Sequence, residues 1–222
     1  MRRIIDFFVI PLVLILILLS AVFWYQKSSF QKKTMEDYIS DLNSPKAEKR
    51  WFAAFTLGKS GDSRAVSPLL RALQDESKEV RWNAAVALGN LKDKRSIPHL
   101  ARLLRDDNVG VRICAASSLG LLEDDQATAF LVEALKDQNE VVRITVSWAL
   151  GNIGDKAAIP YLEVLLNDNV KEVTYHASCA LARLGSSSGR SLLIEMSQSN
   201  DEVSIQSAKE ALKILDQENI EK

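Results

Sequence analysis

The ten residues ending at Gly89 read "VRWNAAVALG", and the chain restates them at a fixed interval. "KRWFAAFTLG" ends at Gly58, "VRICAASSLG" at Gly120 and "VRITVSWALG" at Gly151, so successive copies stand 31 residues apart. On that ruler one column reads Leu57, Leu88, Leu119, Leu150, Leu181 and Leu212. Another reads Arg50, Arg81, Arg112, Arg143 and then Thr174, and Asp75, Asp106 and Asp137 stand six residues before the middle arginines. Asp168 extends that column, Ser44 replaces it in the first copy, and Asp62, Asp93, Asp124 and Asp155 form one more. A period of this length is the mark of a repeat array, in which no copy can bury its own apolar face.

Within a copy the pattern is helical. Val80, Ala84, Ala87, Leu88 and Leu91 make one stripe, and Ile97, Leu100, Leu103 and Leu104 a shorter one. "NLKDKRS" holds the turn between them, and Pro98 and Pro160 sit where a short helix begins, at the position that needs no N–H. Nothing alternates as a strand would. Ala53-Ala54, Ala84-Ala85 and Ala115-Ala116 keep one flank of the longer helix slim enough for a neighbour to approach. The glycines after the column leucine read as C-terminal helix caps. The expected architecture is all-α: a right-handed α-solenoid of about six helix pairs, at about 34–61, 62–92, 93–123, 124–154, 155–185 and 186–222. The departures from pattern at both ends suit capping units.

Ahead of the repeats lies a different composition. Between Phe7 and Tyr25 there is no charge, and a helix over residues 4–25 would span about 33 Å, enough for a bilayer core of about 30 Å. Trp24 and Tyr25 suit an interfacial belt. The length of the run, with no small-x-small cleavage site after Leu19, favours an uncleaved anchor over a signal peptide. The chain is therefore expected to be a single-pass membrane protein: a tail at 1–3, a transmembrane helix at 4–25, a basic linker at 26–33 and the solenoid at 34–222. Arg2 and Arg3 flank one end and Lys27, Lys32 and Lys33 the other, which leaves the orientation open. The short basic start leans towards a body outside the cytoplasm. Beyond residue 33 the chain carries a net charge of −5, which excludes a general nucleic-acid binder.

The repeat unit resembles the HEAT-repeat family, and within it the short subclass related to phycobilisome lyases, through "DESKEVRWNAAVALGNLKDKRSIPHLARLLRD" and its copies. The resemblance covers nearly everything from residue 34 onward. It implies a scaffold whose turn aspartates and helix arginines form a ladder: Asp75, Asp106 and Asp137 would pair with Arg81, Arg112 and Arg143 of the same or adjacent units. It also implies that the second helix of each pair lines a concave face.

Chemistry is sparsely signalled. The family includes an iron enzyme that uses repeated His-Glu pairs, but here the two histidines read His99-Leu100 and His176-Ala177. No zinc or redox pair is spelled by Cys114 and Cys179, which read as buried free thiols. No Gly-rich phosphate cradle is present. The expectation is no enzyme, no metal and no cofactor. The candidate surface is a variable stripe on the second helices: Phe52, Phe55 and Lys59; Asn83, Val86 and Asn90; Cys114, Ser117 and Leu121; Thr145, Trp148 and Asn152; His176, Cys179 and Arg183. Aromatics among amides suit a groove for a protein partner, although Phe52, Phe55 and Trp148 equally suit packing between units. Trp51, Trp82, Ile113, Ile144 and Tyr175, steadily apolar, read as core. The functional expectation is a membrane-anchored scaffold binding a protein through its concave face. The alternatives are an accessory subunit of an enzyme, bilin-lyase-like or cofactor-handling, and a structural part of a membrane complex.

Overall fold

The structure, a computed structural model, describes residues 33–218. The chain divides into two units, residues 1–37 and 38–222. Of the first, only the opening of one helix falls among the described residues. There the Asp37 carboxylate accepts from the Thr34 N–H at 2.8 Å, and the Thr34 hydroxyl accepts from the Asp37 N–H at 3.3 Å, a reciprocal helix cap.

Helices alone make up the regular structure of the described residues, and they alternate short and long. The short ones are α1 (Met35–Asp41), α3 (Val66–Ala72), α5 (Ile97–Leu103), α7 (Thr128–Ala134), α9 (Ile159–Val164) and α11 (Arg190–Ser197). The long ones are α2 (Ala47–Lys59), α4 (Lys78–Leu91), α6 (Val109–Leu121), α8 (Glu140–Ile153), α10 (Lys171–Arg183) and α12 (Glu202–Glu218). A 3-10 turn opens α3, α5, α7 and α9. It begins after Asp62, Asp93, Asp124 and Asp155, each of which accepts the N–H two residues on. That column of aspartates starts the short helices. At Asn108 and Asn139 the amide oxygen starts the long ones.

Each short helix from α3 to α11 and each long helix from α2 to α10 buries one leucine of the repeat. Leu69, Leu100, Leu131, Leu162 and Leu193 come from short helices, Leu57, Leu88, Leu119, Leu150 and Leu181 from long ones, and all are fully buried. Each is worth about 1.5–3 kcal/mol of transfer free energy. Successive long helices pack directly on one another, α2 on α4, α4 on α6, α6 on α8 and α8 on α10. This makes the described chain a solenoid of helix pairs.

The column glycines do not cap helices, contrary to expectation. Gly58, Gly89, Gly120 and Gly151 lie inside the long helices and are buried. They let the next helix close in: a Cβ on Gly58 would stand 2.5 Å from Ala87 Cα, and one on Gly120 2.8 Å from Ala149 Cα. The left-handed stop falls three residues later, in a column of its own: Gly61, Lys92, Glu123, Gly154 and Gly185 all have positive φ. In the last pair the small residues of this flank give way to exposed Lys209 and Lys213.

One expectation is overturned here. Among the described residues no helix is long and apolar enough to cross a membrane, so a single-pass membrane protein is not what the structure supports. The longest, α12, has 17 residues, about 25 Å against a bilayer core of about 30 Å, and it is charged along its exposed side. The tail, the apolar run 4–25 and linker residues 26–32 lie outside the described residues.

Two substitutions of opposite sign check this geometry. Gly58→Ala, which by helix propensity alone should stabilise, is expected to destabilise by about 1–3 kcal/mol through overpacking against Ala87. Lys92→Gly, at φ 52°, is expected to stabilise by about 0.5–1 kcal/mol by removing the left-handed penalty. Urea midpoints of the two variants measure both.

Candidate functional site

What holds the long helices in register is a line of arginines. Arg50 donates from Nε and Nη2 to Asp75 at 2.7 and 2.8 Å, and from Nη1 to the Ser44 carbonyl at 2.9 Å. Arg81 grips Asp106 at 2.7 and 2.9 Å, Arg112 grips Asp137 at 2.7 and 3.0 Å, and Arg143 grips Asp168 at 2.8 and 2.9 Å. In each case Nη1 takes the carbonyl of the arginine's own turn. The side chain therefore binds its own unit through the backbone and the next unit through the carboxylate. Each aspartate Oδ1 also accepts a backbone N–H two residues on. Arg50 and Asp168 join the six ladder residues named from sequence. Beyond Asp168 both partners disappear together: Thr174 stands for arginine and Ser199 for aspartate. The last junction is apolar instead, built on Ala182, Leu193, Met196, Ala208, Ala211 and Leu215.

These forks are largely shielded. In the Arg81–Asp106 pair the side chains are 17% and 8% exposed. Burial alone would raise the carboxyls of Asp75, Asp106 and Asp168. The hydrogen bonds from arginine and backbone, with the guanidinium charge, outweigh it and hold all three below the usual carboxylate range.

The candidate binding residues lie on the long helices, and the structure groups them in two clusters. At the N-terminal end Phe52 and Phe55 are 47% and 40% exposed. The Tyr38 and Trp51 rings lie 6.4 and 6.0 Å from that of Phe52, and Lys59 Nζ sits 4.2 Å over Phe55. Three units on, Trp148, His176, Cys179 and Arg183 line a recess of about 130 Å³ with Met196 and Glu210 from the last pair. Arg183 donates to Asn152 Oδ1 at 2.7 Å. His176 is exposed at the rim, yet lost hydration holds its imidazole below the ordinary value, with Glu172 pulling the other way. Between the clusters the stripe is quieter. Asn83 spends its amide on the Glu79 carbonyl at 2.8 Å and Thr145 its hydroxyl on Val141 at 2.7 Å. Val86, Ser117 and Leu121 are half-buried, Cys114 is buried and Asn90 is exposed.

The column read as core is not fully so. Trp51, Ile113, Ile144 and Tyr175 are half-buried and Trp82 is 46% exposed. These residues ride on the flank where adjacent long helices open to solvent. Trp82 lies against Gly110, where a Cβ would stand 3.3 Å from the indole, and reaches Cys114. Burial pushes the Cys114 and Cys179 thiols up to about 11, so neither is a thiolate at neutral pH. Among the described residues no three His, Cys, Asp or Glu side chains gather as a metal site. The recess residues of the last pair escaped the sequence reading because that pair lacks the repeated phrase.

The arrangement is that of a helical repeat scaffold with an open face. A family description of HEAT repeats matches residues 36–120, 104–179 and 128–213, and the chain belongs to the HEAT-repeat family. Among solved structures it is similar to the complex of CpcE and CpcF of phycocyanin lyase from Nostoc. The identity is 30% over 83% of this chain and 77% of that chain, with a TM-score of 0.69. It shares its fold with an engineered protein, at 23% identity over 84% of this chain and 98% of that one, with a TM-score of 0.61. A designed armadillo repeat protein in complex with the peptide (KR)4 shares it too, at 21% identity over 82% and 100%, with a TM-score of 0.58. No curated protein matches the chain.

Asp106→Ala is expected to cost about 3 kcal/mol in urea unfolding, because it strands a shielded guanidinium, while the Arg81→Met and Asp106→Leu double variant costs less. The lowered aspartates also set an acid limit. Their contribution is present above the unfolded carboxyl value of about 4 and is lost as pH falls through the lower folded values. The melting temperature, scanned by circular dichroism, should start to fall below about pH 4.

Proposed function

We propose that this chain is a non-catalytic scaffold that binds another protein along the free face of its long helices, the concave face of a right-handed superhelix. The observation that carries the reading is the pair of aromatic clusters on that face. Phe52 and Phe55 stand exposed at one end, and Trp148 walls a recess beside Arg183 at the other. Large flat side chains next to a guanidinium are the groups that most often dominate protein interfaces. With two anchor points three units apart, the partner is an extended segment or a long helix rather than a small molecule. Its identity would follow from affinity purification of the tagged chain from its source cells with quantitative mass spectrometry.

A second reading is favoured by one specific observation, the 30% identity to a subunit of a phycocyanin lyase complex. On that reading the chain is an accessory subunit whose activity appears only when a second chain is bound. Purification of a stoichiometric second chain together with a coloured prosthetic group would select it. A partner that brings no such group would select the scaffold.

The Phe55→Ala and Trp148→Ala double variant should weaken capture of the purified partner by about ten-fold or more. Its helical circular dichroism and melting temperature should stay close to the parent values. A large fall in melting temperature would instead assign these side chains to packing between units.

A further inference from the structure

The short helices carry a surface of their own, and its chemistry differs from that of the long ones. Between α5 and α7 runs an open groove of about 620 Å³. Its floor includes Pro98, Ala101 and Ala134, and Phe130 stands on its wall 46% exposed. Across α7 a second groove of about 750 Å³ continues it, sharing Lys136 and Asp137 and lined by Tyr161 and Val164. Those two side chains are 50% and 69% exposed. Three exposed apolar side chains on neighbouring short helices form a strip, where isolated exposed residues would need no explanation.

The charge on this strip is one-sided at its α5 end. Arg102 and Arg105 both line the first groove, are exposed, and make no side-chain hydrogen bond or ion pair among the described residues. In contrast Arg50, Arg81, Arg95, Arg112, Arg143 and Arg190 all hold a carboxylate. The acids nearby do not answer the two free guanidinium groups. The Asp137 carboxylate is engaged by Arg112 in the ladder, and Glu133 faces Lys136 at 3.9 Å. A helix-dipole role for Arg102 in the last turn of α5 does not account for Phe130, Tyr161 and Val164 beside it.

We infer that this face is a second docking surface, for a segment of a partner protein that carries carboxylates at one end and large apolar side chains at the other. The carboxylates meet Arg102 and Arg105, which present planar forks suited to bidentate binding. The apolar end lies over Phe130, Tyr161 and Val164. The strip crosses three short helices. At a helix spacing of about 8–10 Å it is about 20 Å long, the reach of about six extended residues. Nucleic acid is disfavoured because so short a basic stretch on an acidic body offers few phosphate contacts. The surface is independent of the face proposed above, since it uses the other helix of each pair, and either proposal can fail alone.

The test is fluorescence anisotropy with the full-length chain and a labelled peptide of four glutamates followed by Leu-Phe-Leu-Gly. Saturable binding is expected, weakened at least about ten-fold by Arg102→Glu with Arg105→Glu and, separately, by Phe130→Ala. A control of matched charge, Lys156→Glu with Lys209→Glu, should stay within about two-fold of the parent. Should the arginine variant unfold, the glutamine versions at both positions and the Phe130→Ala variant carry the test. Absence of saturable binding, or equal loss in the control, overturns the proposal. So does tighter binding of a DNA duplex or of phosphatidylserine vesicles than of the peptide. A concentration-dependent dimer in sedimentation that the arginine variant abolishes would assign the surface to a second copy and overturn it as well.

Discussion

Everything in this fold depends on how closely one long helix can approach the next. The contact is built from what is missing: Gly58, Gly89, Gly120 and Gly151 present bare backbone to Ala87, Ser118, Ala149 and Ala180. Across one of these junctions the Ser118 hydroxyl reaches the Ala85 carbonyl at 2.8 Å. Backbone-to-backbone packing is tight but has little preferred register, since small residues slide past one another. The arginine ladder supplies the register. A planar fork bound to its own turn and to the next unit's carboxylate tolerates no slip of a turn, because a slip would leave a shielded charge without its partner.

The same device explains where large side chains can go. Small residues occupy the flanks between long helices, and leucines and valines fill the space between long and short ones. The exposed aromatic side chains Phe52, Phe55, Phe130 and Tyr161 are left to the two free faces. The repeat holds these positions open to variation, because they stand at the edge of the leucine and alanine stack and not inside it. That is why neighbouring units offer Phe55, Val86, Ser117, Trp148 and Cys179 at one position of the helix. Binding chemistry on such a scaffold is spread along the array, and each unit contributes a few side chains to a long surface.

Much of this was legible in the residues. Helix pairs, their order and the ladder columns follow from a 31-residue period, because a repeat leaves the same signal several times over. The errors are instructive in the same terms. A glycine after a leucine near a helix end looks like a cap, and only the neighbouring helix reveals that its lack of a side chain is used sideways. The true left-handed stops passed unnoticed because Lys92 and Glu123 occupy two of the five positions. Trp82 looked buried because its column is apolar, yet the column lies on a flank that solvent reaches. The hydrophobic run at 4–25 lies outside the described residues, among which no helix is long and apolar enough to cross a membrane.

The sequence by itself determined the local structure: which residues turn, which helix they join, and that no pair stands alone. These are properties of spacing, and spacing is written in the chain. Only the tertiary structure decided which unit's arginine meets which aspartate, that the recess near Trp148 borrows Met196 and Glu210 from a pair without the repeated phrase, and that Arg102 and Arg105 are left without carboxylates. Those facts depend on distances between residues some 25 positions or more apart. Such distances are set by how closely backbones pack, which no one-dimensional pattern records.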